Sequence, residues 1–325
     1  VLLSSLLPSV IEIGRFPQEV LSHLMQYICL NFVCKSCFSL SAELAWSIIP
    51  STEKQWDQLV LIEPYGEFLP KRDSMISFSA SPCSTPNLSL EEALRGYEEA
   101  GFRDVELFSN WTEARFDMER PCGEYRDIFK QYGIRLSSLH LSYLTGRPES
   151  VEEACQMCRC AAELKCRVVI LNANSKDSYI ERAPALLDSI SGLPITAVLT
   201  NHINSPIETV EDMQEILNKI ANPALKTLLE VGQYHSMGIS WQKAYQKLAE
   251  QVALVHLKDQ VGSRSVRFGE GEVDIEGLLR RLVKDNYDGN VVLEMELEND
   301  QEGLDALAEA LEYVTEVVNR CHSPK

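Results

Sequence analysis

The chain has 325 residues, 45% hydrophobic and 24% charged, which is ordinary globular material with enough apolar content to bury a core. Its 30 basic and 48 acidic residues give a formal charge of −18, and no basic run occurs, which argues against a nucleic-acid or anionic-membrane surface. No apolar run reaches the ~18 residues needed to cross a bilayer.

Residues 1–74 carry apolar segments ("VLLSSLLPSVIEIG", "VLSHLMQYICLNFV", "ELAWSIIP") without a repeat and are read as an N-terminal extension of unassigned structure. From Met75 the texture changes to regular alternation. The strand candidates in chain order are "MISFSA", "DVELF", "RLSSLHL", "RVVILNA", "ITAVLTN", "LKTLLEV", "VALVHLK" and "NVVLEME". Between them lie amphipathic patterns such as "SLEEALRGYEEAG", "SVEEACQMCRCAAELK", "TVEDMQEILNKI" and "DIEGLLRRLVKDN", and "GLDALAEALEYVTEVVNR" follows the last strand. Helix starts are expected at Ser89 with Glu92, Ser150 with Glu153, and Thr209 with Asp212. Gly101, Gly133 and Gly289 sit where a left-handed helix end is wanted. This alternation predicts an α/β fold, a (β/α)8 TIM barrel over residues 75–320. A doubly wound open sheet is the alternative. It would normally carry a glycine-rich phosphate turn after an early strand, and "SASPCSTPN" has none.

The ten cysteines do not read as a disulfide scaffold: Cys155, Cys158 and Cys160 fall within one predicted helix, so reduced thiols in a cytoplasmic protein are expected. Two CxxC pairs exist, Cys34/Cys37 and Cys155/Cys158, but nothing in the spacing brings them together as a zinc site.

In a barrel the chemistry collects where strands end. Those ends carry Glu106, His140, Asn172, Asn174, Asn201, His202, Glu230, His256 with Lys258 and Asp259, and Glu294 with Glu296. Imidazole and carboxylate together suit a divalent transition metal, and paired carboxylates can also move protons. Taken singly, each has a plainer reading: His140 as a core histidine bonded to backbone, Glu106 as half of an ion pair, Asp259 as the start of a turn. Only one of Glu294 and Glu296 can face inward, and strand parity favours Glu294 if Val292 also does.

Four stretches, "GFRDVELF", "VHLKD", "FGEGEVDIEGLLRRL" and "YDGNVVLEMEL", carry a resemblance to the sugar phosphate isomerase/epimerase superfamily of xylose isomerase-like TIM barrels. The resemblance runs from Met75 to about Val318 and includes none of residues 1–74. It implies one divalent metal (Mn, Mg, Co or Zn) held by residues ending barrel strands five to eight. By position these are Thr200, Glu230, His256 and Glu294, so Glu230, His256 and Glu294 are the expected ligands. Strand six carries glutamate where the family usually has aspartate, which moves the carboxylate by more than an ångström. Strand five departs further: "TNH" stands where the family commonly has Glu-Asn-His, and a neutral hydroxyl replaces a charged ligand. Either Asn201 or His202 takes over ligation, or the two-carboxylate proton transfer is lost and the metal is held weakly.

The resemblance further implies Glu294, His140 and Lys258 as catalytic groups, with Glu106, Asn172, Asn201, His202 and Arg267 as substrate-binding groups. Arg147 and Arg264 are further candidate anion anchors in the loops. The expected activity is metal-assisted isomerisation, epimerisation or dehydration of a small sugar, sugar phosphate or inosose-like compound. The other class is a sugar-binding relative with a degraded metal site; an endonuclease IV-like nuclease needs more histidines than the six present and a surface for DNA. The expected partner is a small sugar-like molecule, without nucleic acid or membrane, and a homo-oligomer is compatible with all of this.

Overall fold

The computed structural model describes residues 76–322. The chain divides into two units, Val1–Arg72 and Asp73–Lys325; the expected extension and the Cys34/Cys37 pair lie outside the described residues. Eight parallel strands close into a barrel: β1 (Ser77–Ala80), β2 (Asp104–Leu107), β3 (Arg135–His140), β4 (Val168–Leu171), β5 (Thr196–Leu199), β6 (Leu225–Glu230), β7 (Val252–Leu257) and β10 (Asn290–Leu293). Each lies within one of the runs expected from the sequence. An antiparallel hairpin of β8 (Asp259–Val261) and β9 (Arg264–Val266) was not among them; it stands apart from the barrel on the loop leaving β7. Around the barrel run α1 (Leu90–Glu99), α2 (Cys122–Tyr132), α3 (Glu149–Glu163), α4 (Lys176–Ile190), α5 (Val210–Ile220), α6 (Val231–Ser236), α7 (Trp241–Leu248), α8 (Ile275–Lys284) and α9 (Asp300–His322). No helix among the described residues is long and apolar enough to cross a membrane.

The strands sort their side chains by parity. Val169, Leu171, Leu199, Leu229, Val255, Leu257, Val291 and Leu293 join the helices in one large buried cluster. Val168, Ile170, Val198, Leu228, Leu254 and Val292 form a second, separate cluster that fills the barrel interior. Burying each such side chain contributes about 1.5–3 kcal/mol before the entropy of ordering it. Two register shifts interrupt this regularity, one where β2 meets β3 and one where β6 meets β7. Each leaves one extra residue, Ser137 and Ala253, three positions before His140 and His256. A bulge turns the strand locally and re-aims the side chains beyond it.

The caps agree with expectation at Ser89/Glu92 and Thr209/Asp212, both reciprocal capping boxes. At α3 they do not. The helix starts at Glu149 after Pro148, and Ser150 Oγ instead donates to the Arg147 carbonyl at 2.7 Å. Gly101 and Gly133 do take left-handed backbones (φ 99° and 63°). Gly289 does not, because Asn286 (φ 55°) already turns the chain at that return. The thiol expectation is also corrected: Cys122 and Cys160 are disulfide-bonded, joining the start of α2 to the last turn of α3. Helical neighbours in sequence said nothing about a partner 38 residues away on another helix. Cys155 and Cys158 are free, buried thiols.

Gly303, in α9, lets that helix pass against the turn after β1, where a Cβ would lie 1.8 Å from the Ser84 carbonyl oxygen. Alanine normally favours a helix interior over glycine by about 1 kcal/mol. Here overpacking reverses the sign, and Gly303→Ala is expected to destabilise by about 1–3 kcal/mol, read as a lowered urea midpoint.

Candidate metal and sugar site

Two residues beyond the interior cluster, the same parity delivers polar groups to the barrel mouth. Ile170, Val198, Leu228, Leu254 and Val292 lead to Asn172, Thr200, Glu230, His256 and Glu294. His256 is the hub. Its Nδ1 lies 3.0 Å from Glu230 Oε2 and 3.2 Å from Glu294 Oε1, while its Nε2 lies 2.9 Å from Glu106 Oε2. All four side chains are nearly or wholly buried. Glu230, His256 and Glu294 each offer a ligand atom, all within 4.8 Å of one another.

Glu106, expected among the substrate-binding groups, is fully buried. It accepts from Ser138 Oγ at 2.7 Å, and its oxygens also meet His256 Nε2 and, at 3.2 Å, His140 Nε2. It therefore fixes two imidazoles. With Nε2–H donating to Glu106, His256 presents Nδ1 to two carboxylate oxygens. A bare lone pair there would face negative charge, so the position calls for a cation, either a proton or a metal ion. The donor set of one imidazole nitrogen and two carboxylates fits a divalent metal.

The protonation states follow from this crowding. Burial works against charge on His256, but Glu106 and Glu294 outweigh it and raise its pKa well above the usual value. Burial would raise Glu106; His256 and His140 instead bring it down to about 2. Burial likewise opposes charge on Glu294, which His256 and Lys258 hold well below the usual carboxylate range. Lys258 is 2% exposed, with Nζ donating to Glu296 Oε1 at 2.8 Å and 3.5 Å from Glu294 Oε2. Burial alone would discharge it, but Glu294 and Glu230 raise its pKa well above the normal range.

Asp259 faces away from this cluster. Its carboxylate accepts backbone N–H groups from Gln260, Gly269, Gly271 and Val273 at 2.8–3.2 Å, pinning the loop "FGEGEV" beside β7. A Cβ on Gly271 would lie 2.0 Å from Asp259 Oδ1, so the glycine is a condition of that clamp. The other expected residues stand further from the hub. Asn201 is fully buried and trades two hydrogen bonds of 3.1 Å with the Glu230 backbone, which spends its amide on holding β6. His202 is exposed, with Nδ1 on the Ile203 carbonyl at 2.7 Å. Asn172 donates to the Leu141 carbonyl at 3.3 Å. Arg267 pairs with Glu309 and Glu302 on α9, outside the cluster. Thr200 is half-buried and donates to the Asn201 carbonyl at 3.3 Å. Sequence reasoning did not single out Ser81, whose Oγ donates to Glu294 Oε1 at 3.2 Å, or Phe108, whose ring lies 4.3 Å from that of His140. Ser81 is the first residue past β1, and that strand-end position was the one signal that could have found it.

The family profile of the xylose isomerase-like TIM barrel matches residues 94–317, and the chain belongs to that family. Among similar solved structures is the IolI protein with a bound zinc atom (18% identity, TM-score 0.64, covering 77% of this chain and 100% of that one). Another is the probable 3-DHS dehydratase AsbF from Bacillus anthracis (17%, 0.62, 74% and 99%). A third is D-allulose 3-epimerase from Methylomonas sp. in complex with D-allulose (16%, 0.62, 74% and 96%). At these identities the likeness establishes the fold. No curated protein sequence matches the chain.

Two measurements check this geometry. Glu106→Gln should weaken divalent-metal affinity by about 10–100-fold, whether the ion takes Glu230, His256 and Glu294, where Glu106 orients His256, or the second converging group of Glu106, His140 and His256. In the metal-free chain His256 holds a proton that a metal must displace. Affinity should therefore rise with pH, and calorimetry in buffers of different ionisation heat should show proton release on binding.

Proposed function

We propose that the chain is a metal-assisted isomerase, epimerase or dehydratase acting on a small polyhydroxy carbonyl compound. The observation that carries this is His256 Nδ1 held between Glu230 and Glu294 by a carboxylate on its other nitrogen. Glu230, His256 and Glu294 would hold one divalent ion: Mn, Mg, Co or Zn. Bound there, the ion would draw charge from adjacent carbonyl and hydroxyl oxygens of the substrate and make the α-proton more acidic.

The chain's own groups supply the rest. Glu294 stays ionised beside Lys258 and His256 and can accept a proton. Lys258, charged and buried, can donate to an alkoxide or orient a hydroxyl. His140, tied to Glu106 and packed against the tilted ring of Phe108, is the second donor; His202 is less suited, since it is exposed and turned to a backbone carbonyl. The partner is a small sugar-like molecule. A charge of −18 weighs against nucleic acid and hence against a nuclease of the same fold. A cytoplasmic location belongs to the same reading, with the Cys122–Cys160 bond as the observation that weighs against it.

Thr200 favours a second reading, a sugar-binding relative without catalysis. Its hydroxyl brings no charge to the metal and cannot shuttle a proton near neutral pH, so two-base epimerisation is disfavoured over one-proton isomerisation or loss of water. Elemental analysis followed by deuterium exchange into ketoses, inososes and ketose phosphates separates the two. About one tightly held metal per chain with exchange at a substrate carbon supports the enzyme; no metal under any loading condition supports the binding protein. Thr200→Glu should tighten metal binding about tenfold, which is about 1.4 kcal/mol. Unchanged affinity in that variant, with loss in Asn201→Ala or His202→Ala, would mean the fourth ligand lies further along the chain.

A further inference from the structure

The Cys122–Cys160 disulfide takes no part in the site described above. Cross-links stabilise chiefly those small domains that have too little core. This barrel already buries one large cluster around its strands and a second inside them.

The bond is placed for exchange. Both cysteines are half-buried on outer helices, whereas Cys83, Cys155, Cys158 and Cys166 are buried free thiols. Burial pushes the Cys158 and Cys166 thiols up to about 12 and raises Cys83 as well. Those three stay protonated and inert. Cys122 is the first residue of α2, where the free N–H groups of a helix start favour a thiolate. The charges nearby, Arg126 and Arg159 against Glu124, Glu152 and Glu163, largely offset one another, so the helix start decides. Cys122 is the better leaving sulfur of the two.

What the bond holds is a weak helix start. The helix opens "PCGEY", with Pro121 at the cap position making no side-chain hydrogen bond and Gly123 in the first turn. The long β2–α2 loop, residues 108–121, hangs on that turn through buried Tyr125. Phe116 stacks on the Tyr125 ring at 4.7 Å, the Asp117 N–H donates to its hydroxyl at 2.6 Å, and the Arg120 guanidinium lies over the ring at 5.3 Å. Within the loop Trp111 takes a left-handed backbone, φ 49°, uncommon for a bulky side chain. The loop begins at Phe108, whose ring packs 4.3 Å from the His140 imidazole.

We propose that Cys122–Cys160 is a reversible redox site, exchanged by a dithiol protein of the thioredoxin class, and that its reduction releases the first turn of α2 and the β2–α2 loop. A reductant thiolate attacks Cys160 Sγ, the Sγ–Sγ bond breaks, and Cys122 leaves as a thiolate. The reductant's second thiolate then attacks the mixed disulfide and frees Cys160. The reductant gives up two electrons and ends as a disulfide; the chain gains them with two protons and ends with two thiols. The release reaches the barrel mouth through Phe108 and His140, and not through Glu230, His256 or Glu294 on β6, β7 and the end of β10. It does not depend on what that centre binds or transforms. A bond exchanged in this way also agrees with a cytoplasmic location, where lasting disulfides are rare.

The test uses the full chain purified without reductant, dithiothreitol as the probe dithiol and diamide as the oxidant. Alkylation mapped by mass spectrometry is read in parallel with hydrogen–deuterium exchange. In native buffer, dithiothreitol should open Cys122 and Cys160 to alkylation while Cys83, Cys155, Cys158 and Cys166 stay unlabelled. Amides of residues 108–125 should then exchange at least about tenfold faster, those of β6 and β7 should not change, and diamide should restore the slow rates. The double variant Cys122→Ser/Cys160→Ser should exchange fast with or without dithiothreitol; if it does not fold, the wild-type comparison alone decides. A bond that yields only in urea, or whose reduction speeds exchange throughout the barrel, is a structural staple and overturns the proposal. So does reduction that leaves residues 108–125 unchanged, and so does a pair that stays as thiols after diamide.

Discussion

Three carboxylates and one imidazole share a buried space at the end of the barrel, and their electrostatic balance governs everything around them. Ionised carboxylates out of water cost several kcal/mol each unless they are paired. Glu106, Glu230 and Glu294 converge on His256, with Lys258 behind Glu294, so each negative charge has a cation or a donor within reach. The same arrangement leaves one place, Nδ1 of His256, where negative oxygens crowd a nitrogen. Such a cluster is poor as pure stabilisation, since apolar side chains would fill the space at less electrostatic cost. Its presence directly above a layer of valine, isoleucine and leucine, in a barrel interior whose other buried polar groups are uncharged serine and threonine hydroxyls, is better understood as a binding centre carried by the fold than as a strut of it.

Much of this was legible in the chain, and the reason is periodicity. Strand candidates bounded by helical patterns pointed to the barrel, and alternation within "NVVLEME" put Glu294 on the inner face with Val292. What stayed hidden depends on contacts across the fold. The bulges at Ser137 and Ala253 leave no compositional mark, although they help decide where His140 and His256 point. Glu106 was visible as a strand-end glutamate, but its position between two histidines is set by β2 lying next to β3 and across the barrel from β7. Ser150 had the spacing of a cap but sits after Pro148, and it bonds back to Arg147 instead. The Cys122–Cys160 bond likewise joins two helices whose separate patterns carry no trace of each other.

The motif pair "VHLKD" and "GEGEVD" shows how a sequence signature can combine separate physical tasks. His256 and Lys258 serve the centre, one to the carboxylate cluster and one to Glu296 and Glu294. Asp259 serves the loop, collecting four backbone N–H groups that would otherwise need water. Gly271 is required because the carboxylate occupies the space of its Cβ. The two halves are specific together because one supplies the acceptor and the other the donors and the room.

Thr200 then has a definite meaning within this balance. A carboxylate at Thr200, just past β5, would add another negative charge beside a cluster that already holds three, and only a strongly held divalent ion would offset it. With threonine there, Lys258 and the proton on His256 come closer to balancing the cluster by themselves, so the metal-free site is tolerable. If the ion binds as proposed, threonine at this position lowers metal affinity and leaves a centre that tolerates the ion's absence. Lys258, set by Glu296, His140, set by Glu106 and Phe108, and Glu294, held by Ser81, His256 and Lys258, all keep their orientation without the ion. A barrel of this family that keeps its polar ring while lowering its dependence on metal would retain sugar recognition first and chemistry second. That ordering reflects which contacts are built from the chain alone.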